Sequence, residues 1–122
     1  MAKAVGIGGI FLKAHNPQAL ARRYAERFGI PAQDGGSLAF DGPGPMGMTV
    51  FAHFPLNTTY FGEGAQQTMV NFRVDDLDAL FAQLSAAGVR IGPKREDHPY
   101  GRFAWIWDPK GNRVEFWQPS SA

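Results

Sequence analysis

Hydrophobic positions along the chain come in short strand-like runs, and twice they give way to a helical period. Residues Ile7 to Ala14 are apolar and β-compatible. They stop at Asn16-Pro17, a capping side chain followed by the proline that suits a first helical turn. From there Leu20, Tyr24 and Phe28 recur every four residues, while Arg22, Arg23, Glu26 and Arg27 take the other faces and Gly29 supplies a left-handed stop. The runs Ser37 to Phe40 and Met48 to Phe54 predict two strands, separated by the Gly- and Pro-rich turn Asp41 to Gly47. Pro55 to Gln67 is polar and predicts a surface connector.

The same order then begins again. Met69 to Val74 predicts a strand, Asp75-Asp76 an N-cap, Leu77, Leu80, Phe81 and Leu84 a helix face, and Gly88 its stop. Val89 to Ile91 starts a further strand, and Glu96 to Tyr100 is read as a loop. Arg102 to Trp107 and Arg113 to Gln118 predict a hairpin closed by the tight turn Asp108 to Asn112. Displacing Ile10, Leu12, Lys13, Ala14, Asn16, Ala19 and Leu20 by 60 positions gives Val70, Phe72, Arg73, Val74, Asp76, Ala79 and Leu80, alike in character throughout. At the module ends a displacement of 64 takes Val50 to Val114 and Pro55 to Pro119. The pattern predicts an α+β fold of two tandem βαβββ modules, about 3–56 and 67–119, within one domain spanning 1–122. Neither module is large enough to bury both faces of its sheet, so two curved mixed sheets should meet edge to edge, with helices outside and a concave inner face.

Composition narrows the chemistry. The 122 residues are 44% hydrophobic and 19% charged, which is globular rather than disordered. A net charge of +1 offers no basic field for nucleic acid. With no cysteine, disulfides, thiolate metal sites and Cys nucleophiles are excluded. No run has the length or apolar character of a signal peptide or a membrane span, so a soluble cytoplasmic protein is expected.

The segment Tyr100 to Pro119, with its Asp-Pro-x-Gly-Asn-x-x-Glu string from Asp108 to Glu115, resembles the closing hairpin of the glyoxalase/bleomycin-resistance/extradiol-dioxygenase (vicinal oxygen chelate) superfamily. Gly9 to Ala14, the helix through Tyr24 and Phe28-Gly29, and Val74 to Leu80 fit as well, so the likeness spans nearly the whole chain. It implies paired βαβββ modules, usually in a homodimer. It implies less about reaction, because members include lyases, isomerases, dioxygenases, thiol transferases and non-catalytic drug binders. The resemblance also implies metal ligands, commonly His, His and Glu, on the first and last strand of each module. Carried over, these positions fall on Gly9, Met69, Phe51 and Glu115, of which only Glu115 retains ligand chemistry for a hard cation. No metal or other cofactor is therefore expected. A displaced set of His53, His98 and Glu115 is the alternative; the plainer readings are a half-buried His53 bonded to a neighbour, a solvated His98 and a surface His15.

Glu115 alternates with Val114 and Phe116 and so should face the concavity. Three roles are open to it: ion-pair partner of Arg73, which shares the inward face with Met69 and Asn71; general base or substrate anchor with a raised pKa; or metal ligand. Phe11, Phe51, Trp105 and Trp117 are expected to line an aromatic wall around it, with His53, Asn71, Arg73 and Tyr100 supplying polar contacts. Packing in a plain core would also account for those aromatics. Two functions follow: a metal-independent protein that binds a neutral or anionic, apolar or aromatic small molecule, or a lyase, isomerase or dioxygenase using Glu115 as base or as part of the displaced metal set.

Overall fold

A computed structural model describes residues 1–33, 37–42, 47–62 and 65–120. Nine elements follow one another: β1 (Ala4–Ala14), α1 (Pro17–Phe28), β2 (Leu38–Phe40), β3 (Thr49–Pro55), β4 (Thr68–Val74), α2 (Leu77–Ala86), β5 (Arg90–His98), β6 (Gly101–Trp107) and β7 (Arg113–Pro119). The strands form one unclosed mixed sheet in the order β2-β3-β1-β4-β7-β6-β5. Its centre is the antiparallel pair β1–β4, and each of these strands takes the last strand of its own module in parallel, β3 beside β1 and β7 beside β4. The predicted edge-to-edge junction of two repeated units is therefore present.

Both helices begin as their caps dictate. The Asn16 side chain accepts the amide of Ala19, with Pro17 opening α1, and the Asp76 side chain does the same for Ala79 in α2. Gly29, at φ 70°, ends α1 in the left-handed region. Helix α2 buries Leu77, Leu80 and Phe81 on Val74, Ala104, Ile106 and Phe116 of the outer sheet face. Helix α1 buries only Ala21; its Tyr24 lies edge-on to Phe51, and Phe28 is 70% exposed. No helix among the described residues is long and apolar enough to cross a membrane.

Three expectations change, and a fourth lies partly outside the described residues. Among the described residues the first module has two strands after its helix rather than three, with only the isolated bridge between Ala32 and Leu38 ahead of β2. The predicted Asp41–Gly47 turn falls partly on residues 43–46, outside the described residues. Glu96, Asp97 and His98, read as loop, belong to β5. That strand is at the sheet edge and shifts register between Ile91 and Arg95, which is how it tolerates Pro93. The connector after β3, read as surface, turns inward: Phe61 is 1% exposed and packs with Phe11, Met69 and Trp105 beneath the inner sheet face.

Candidate functional site

Glu115 stands in the middle of β7, paired in register with Asn71 of β4 on one side and Trp105 of β6 on the other. Residues in register share a sheet face, so all three side chains meet on the inner side. Glu115 is fully buried, yet no cation lies within hydrogen-bonding reach among the described residues. Neutral donors hold it instead. The Trp105 indole N–H donates to Oε1 at 3.1 Å, the Tyr60 hydroxyl donates to the same oxygen, and the Asn71 amide donates to Oε2 at 2.6 Å. Burial raises the pKa of the Glu115 carboxyl, and the three donors together with the more distant Arg113 charge offset part of that rise. Burial and the neighbouring Glu115 carboxylate push the Tyr60 phenol far above its ordinary value, so the phenol stays protonated and donating.

A cavity of about 320 Å³ opens over this cluster. Its walls come from Val50, Ala52 and Phe54 of β3 and, across the curl of the sheet, from Phe103 and Trp117 of β6 and β7, with Phe11 between them. Trp117 is fixed by stacking on Phe103 at 6.0 Å and by donating its indole N–H to the Tyr100 carbonyl at 3.1 Å. Asn71 is 2% exposed and lines this cavity, and its Oδ1 has no hydrogen-bond donor among the described residues. That oxygen lies against Gly8, where an added Cβ would come within 2.1 Å of it and 3.0 Å of the Trp117 ring. The register of β1 slips between Ile7 and Gly9, a bulge that sets both Gly8 and Gly9 against Asn71. Only glycine leaves room there for an amide standing beside a buried carboxylate.

The residues singled out in the sequence divide into three groups. Phe11, Asn71, Tyr100, Glu115 and Trp117 line the cavity, and Trp105 reaches Glu115 from its floor. Met69 is on the same face but packs behind the cavity against Phe11, Phe61 and Trp105. Arg73 is two residues from Asn71 on that face and does not pair with Glu115; its guanidinium donates to the carbonyls of Ile7 at 2.8 Å and Met48 at 2.6 Å. Phe51 and His53 are not in the cavity. They face α1, where His53 stacks on Tyr24 at 5.5 Å and Phe51 meets both rings edge-on.

The reason is one residue of register. Phe11 pairs with Ala52 and Asn71 with Glu115, so the last strands of the two modules correspond at a displacement of 63, not 64. A slip of one exchanges the two faces of a strand. Ala52, not Phe51, is the counterpart of Glu115. His98 is also elsewhere, in β5, stacked on Tyr100 at 5.1 Å and paired with Glu96 at 2.9 Å. His53, His98 and Glu115 therefore do not assemble, and no group of three or more His, Cys, Asp or Glu side chains with metal-binding geometry occurs among the described residues. Sequence reasoning missed Tyr60 and Phe103. For Tyr60 a signal existed in the adjacent aromatics Tyr60-Phe61, out of place in a polar connector.

Residues 9–116 match the family described as Glyoxalase/Bleomycin resistance protein/Dioxygenase superfamily. No curated protein matches the chain by sequence. Among solved structures, a Streptomyces coelicolor methylmalonyl-CoA epimerase variant in complex with 2-nitronate-propionyl-CoA superposes with a TM-score of 0.74 at 15% identity, covering 98% of this chain and 100% of that one. The Mycobacterium tuberculosis methylmalonyl-CoA epimerase gives 0.67 at 19%, over 96% and 89% of the two chains. A glyoxalase/bleomycin resistance protein/dioxygenase superfamily member from Vibrio splendidus 12B01 gives 0.59 at 15%, over 97% and 99%. At such identities the structural likeness speaks for the fold alone, whereas the family match covers most of the sequence, and the chain belongs to the glyoxalase/bleomycin resistance protein/dioxygenase superfamily.

Proposed function

We propose that this protein binds a small, apolar, planar molecule in the inner cavity, and does so without a resident metal ion. The observation that carries this reading is the state of Glu115: a buried carboxylate whose two oxygens are engaged by Tyr60, Asn71 and Trp105 at the floor of an otherwise apolar cavity. The positions corresponding to the ligands implied by the resemblance carry Gly9, Ala52, Met69 and Glu115, one oxygen donor in four. A hard divalent cation requires several oxygen or imidazole ligands to replace its hydration shell, and this donor set does not suit one. The aromatic walls favour a flat ligand, and the free Oδ1 of Asn71 favours one carrying a hydroxyl or N–H donor. The homodimer implied by the resemblance belongs to the same proposal; sedimentation as a single 13.4 kDa species would remove it.

The test is a fluorescence titration with 2-naphthol, a flat apolar probe with one hydroxyl donor, on protein with and without prior chelation. Saturable quenching that is indifferent to chelation is expected and should weaken in Asn71→Leu, which removes the amide. Stoichiometric bound metal by elemental analysis, with binding lost on chelation, would overturn the metal-free reading. A second reading, proton transfer by Glu115, draws on the raised pKa of this carboxyl. It requires deuterium from solvent to enter a C–H beside a carbonyl of a bound substrate, and that exchange to vanish in Glu115→Gln.

A further inference from the structure

Beyond the Tyr60–Trp105 wall lies a second and larger cleft, of about 1030 Å³, between the connector after β3 and the strands β5, β6 and β7. Its charge is one-sided: Arg90, Lys94 and Arg113 line it, with no acidic side chain among the described lining residues. Arg90 and Arg113 are not there by accident of rotamer. Arg90 pairs in register with Trp107, and Trp107 pairs in register with Arg113, so one row across three strands reads cation, indole, cation on a single face. Each guanidinium is laid on an indole, Arg90 3.9 Å above the Trp107 ring and Arg113 4.8 Å above that of Trp105.

The two arginines spring from backbone positions about two strand spacings apart, roughly 10 Å, and their like charges repel unless something anionic lies near them. The nearby carboxylates make their contacts elsewhere: Glu96 pairs with Lys94 at 2.9 Å and with His98, and Glu115 is enclosed behind Tyr60, so both act on Arg113 through space without touching it. Neither Arg90 nor Arg113 has a salt-bridge partner among the described residues. Arg113 donates through Nη1 to the Tyr60 carbonyl, but its buried Nε has no acceptor among the described residues. An unmet guanidinium N–H beside an indole face is a half-built fork for a planar oxyanion.

We propose that this cleft is a second ligand site, for an anionic group of the carboxylate or phosphate-monoester class borne on a planar body, with Arg90 and Arg113, each seated on its indole, supplying the cations that hold the oxyanion. The site is distinct from the apolar cavity and stands whether or not that cavity binds as proposed. Both share Phe54 and Tyr60 as lining, so Tyr60 is a common wall through which occupancy of one can be felt in the other.

The experiment is calorimetric titration of the intact protein with phenyl phosphate and, separately, with benzoate at low ionic strength. Arg90→Gln and Lys94→Gln, together and singly, are the main variants, because both side chains are exposed on an edge strand and their loss leaves the core untouched. Saturable binding of either probe is expected, weakened at least about tenfold by Arg90→Gln and further by added sodium chloride, as a charge-assisted contact requires. Arg113→Lys, which keeps the charge but loses the fork, should weaken it as well. Binding of 2-naphthol should be unchanged in Arg90→Gln, which separates this site from the apolar cavity and shows the variant folded. Absence of saturable binding by both probes to the unaltered protein, or equal binding by folded Arg90→Gln, would overturn the proposal.

Discussion

The two modules are built to one plan and differ in what they place at the same point. In each, the first strand carries the last strand beside it in parallel, and one inward residue of that last strand faces a partner two residues beyond the module's first inward position. In the first module the pair is Phe11 with Ala52; in the second it is Asn71 with Glu115. The first module thus provides an apolar wall and the second the polar floor of the same cavity. Their helices differ in parallel: α2 covers the polar module's strands with three buried side chains, whereas α1 lies over Phe51 and His53 with only Ala21 buried. A repeated frame can therefore keep its hydrogen-bond register while its two inner faces take unlike chemistry. Tyr60, from the connector of the first module, crosses between them, its hydroxyl reaching the carboxylate of the second.

The comparison breaks most severely at Glu115. Glu115→Ala leaves the Tyr60, Asn71 and Trp105 donors without an acceptor in a closed space, and each such group costs about 1–3 kcal/mol, so a loss of about 3 kcal/mol or more in urea unfolding is expected. The carboxyl also predicts a pH dependence. Its pKa is raised in the folded state above the ordinary 4.5, so the stability it contributes is complete below that value and is lost as pH rises through the folded pKa. Glu115→Gln should flatten that part of the profile; an unaltered profile would place the titration elsewhere.

Making the modules alike is the converse test. Ala52→Glu puts a second carboxylate at the corresponding position, where no donors await it, and should cost about 1–3 kcal/mol, recovered on acidification. A smaller effect separates the two faces of the sheet. Phe103→Ala should weaken binding of 2-naphthol by about 1 kcal/mol, a lost aromatic contact, whereas Phe51→Ala should lower stability and leave affinity unchanged, since Phe51 faces α1. Reduced affinity in folded Phe51→Ala would return that ring to the cavity.

The smallest effect concerns His53, whose two ring nitrogens are buried without partners among the described residues and whose pKa burial lowers. Its neutral form is favoured in the folded state, so its contribution is present above the ordinary value of 6.5 and lost as pH falls through the folded pKa. His53→Leu should remove that acid-side loss from the thermal unfolding profile.

Much of this was legible from the residues. Capping by Asn16 and Asp76 and the alternation in β4 and β7 are local signals, and they set both helices and put Asn71, Glu115 and Trp117 on one face. What failed was long-range register. Val50 and Val114 match in character at a displacement of 64, but hydrogen bonding pairs the strands at 63, and that single step carried Phe51 and His53 to the outer face. An ion pair with Arg73 was one of three roles open to Glu115 because alternation puts both on the inner face; the strand holds them two positions out of line, and neutral donors closer by take the carboxylate. Tyr60 escaped notice because a polar connector is ordinarily solvent-exposed, and the polar residues around Tyr60-Phe61 outweighed that one aromatic pair.

Strand β7 has one more consequence. Last of the seven strands in chain order, it lies between β4 and β6, so the β5–β6 hairpin joins the rest of the sheet only through it. Without β7 the edges of β4 and β6 would face an open slot, the kind of surface that invites pairing with a neighbouring polypeptide. Arg113–Pro119 fills that slot and at the same time carries Glu115 to its donors, so the strand that joins the two parts of the sheet is also the one that completes the pocket.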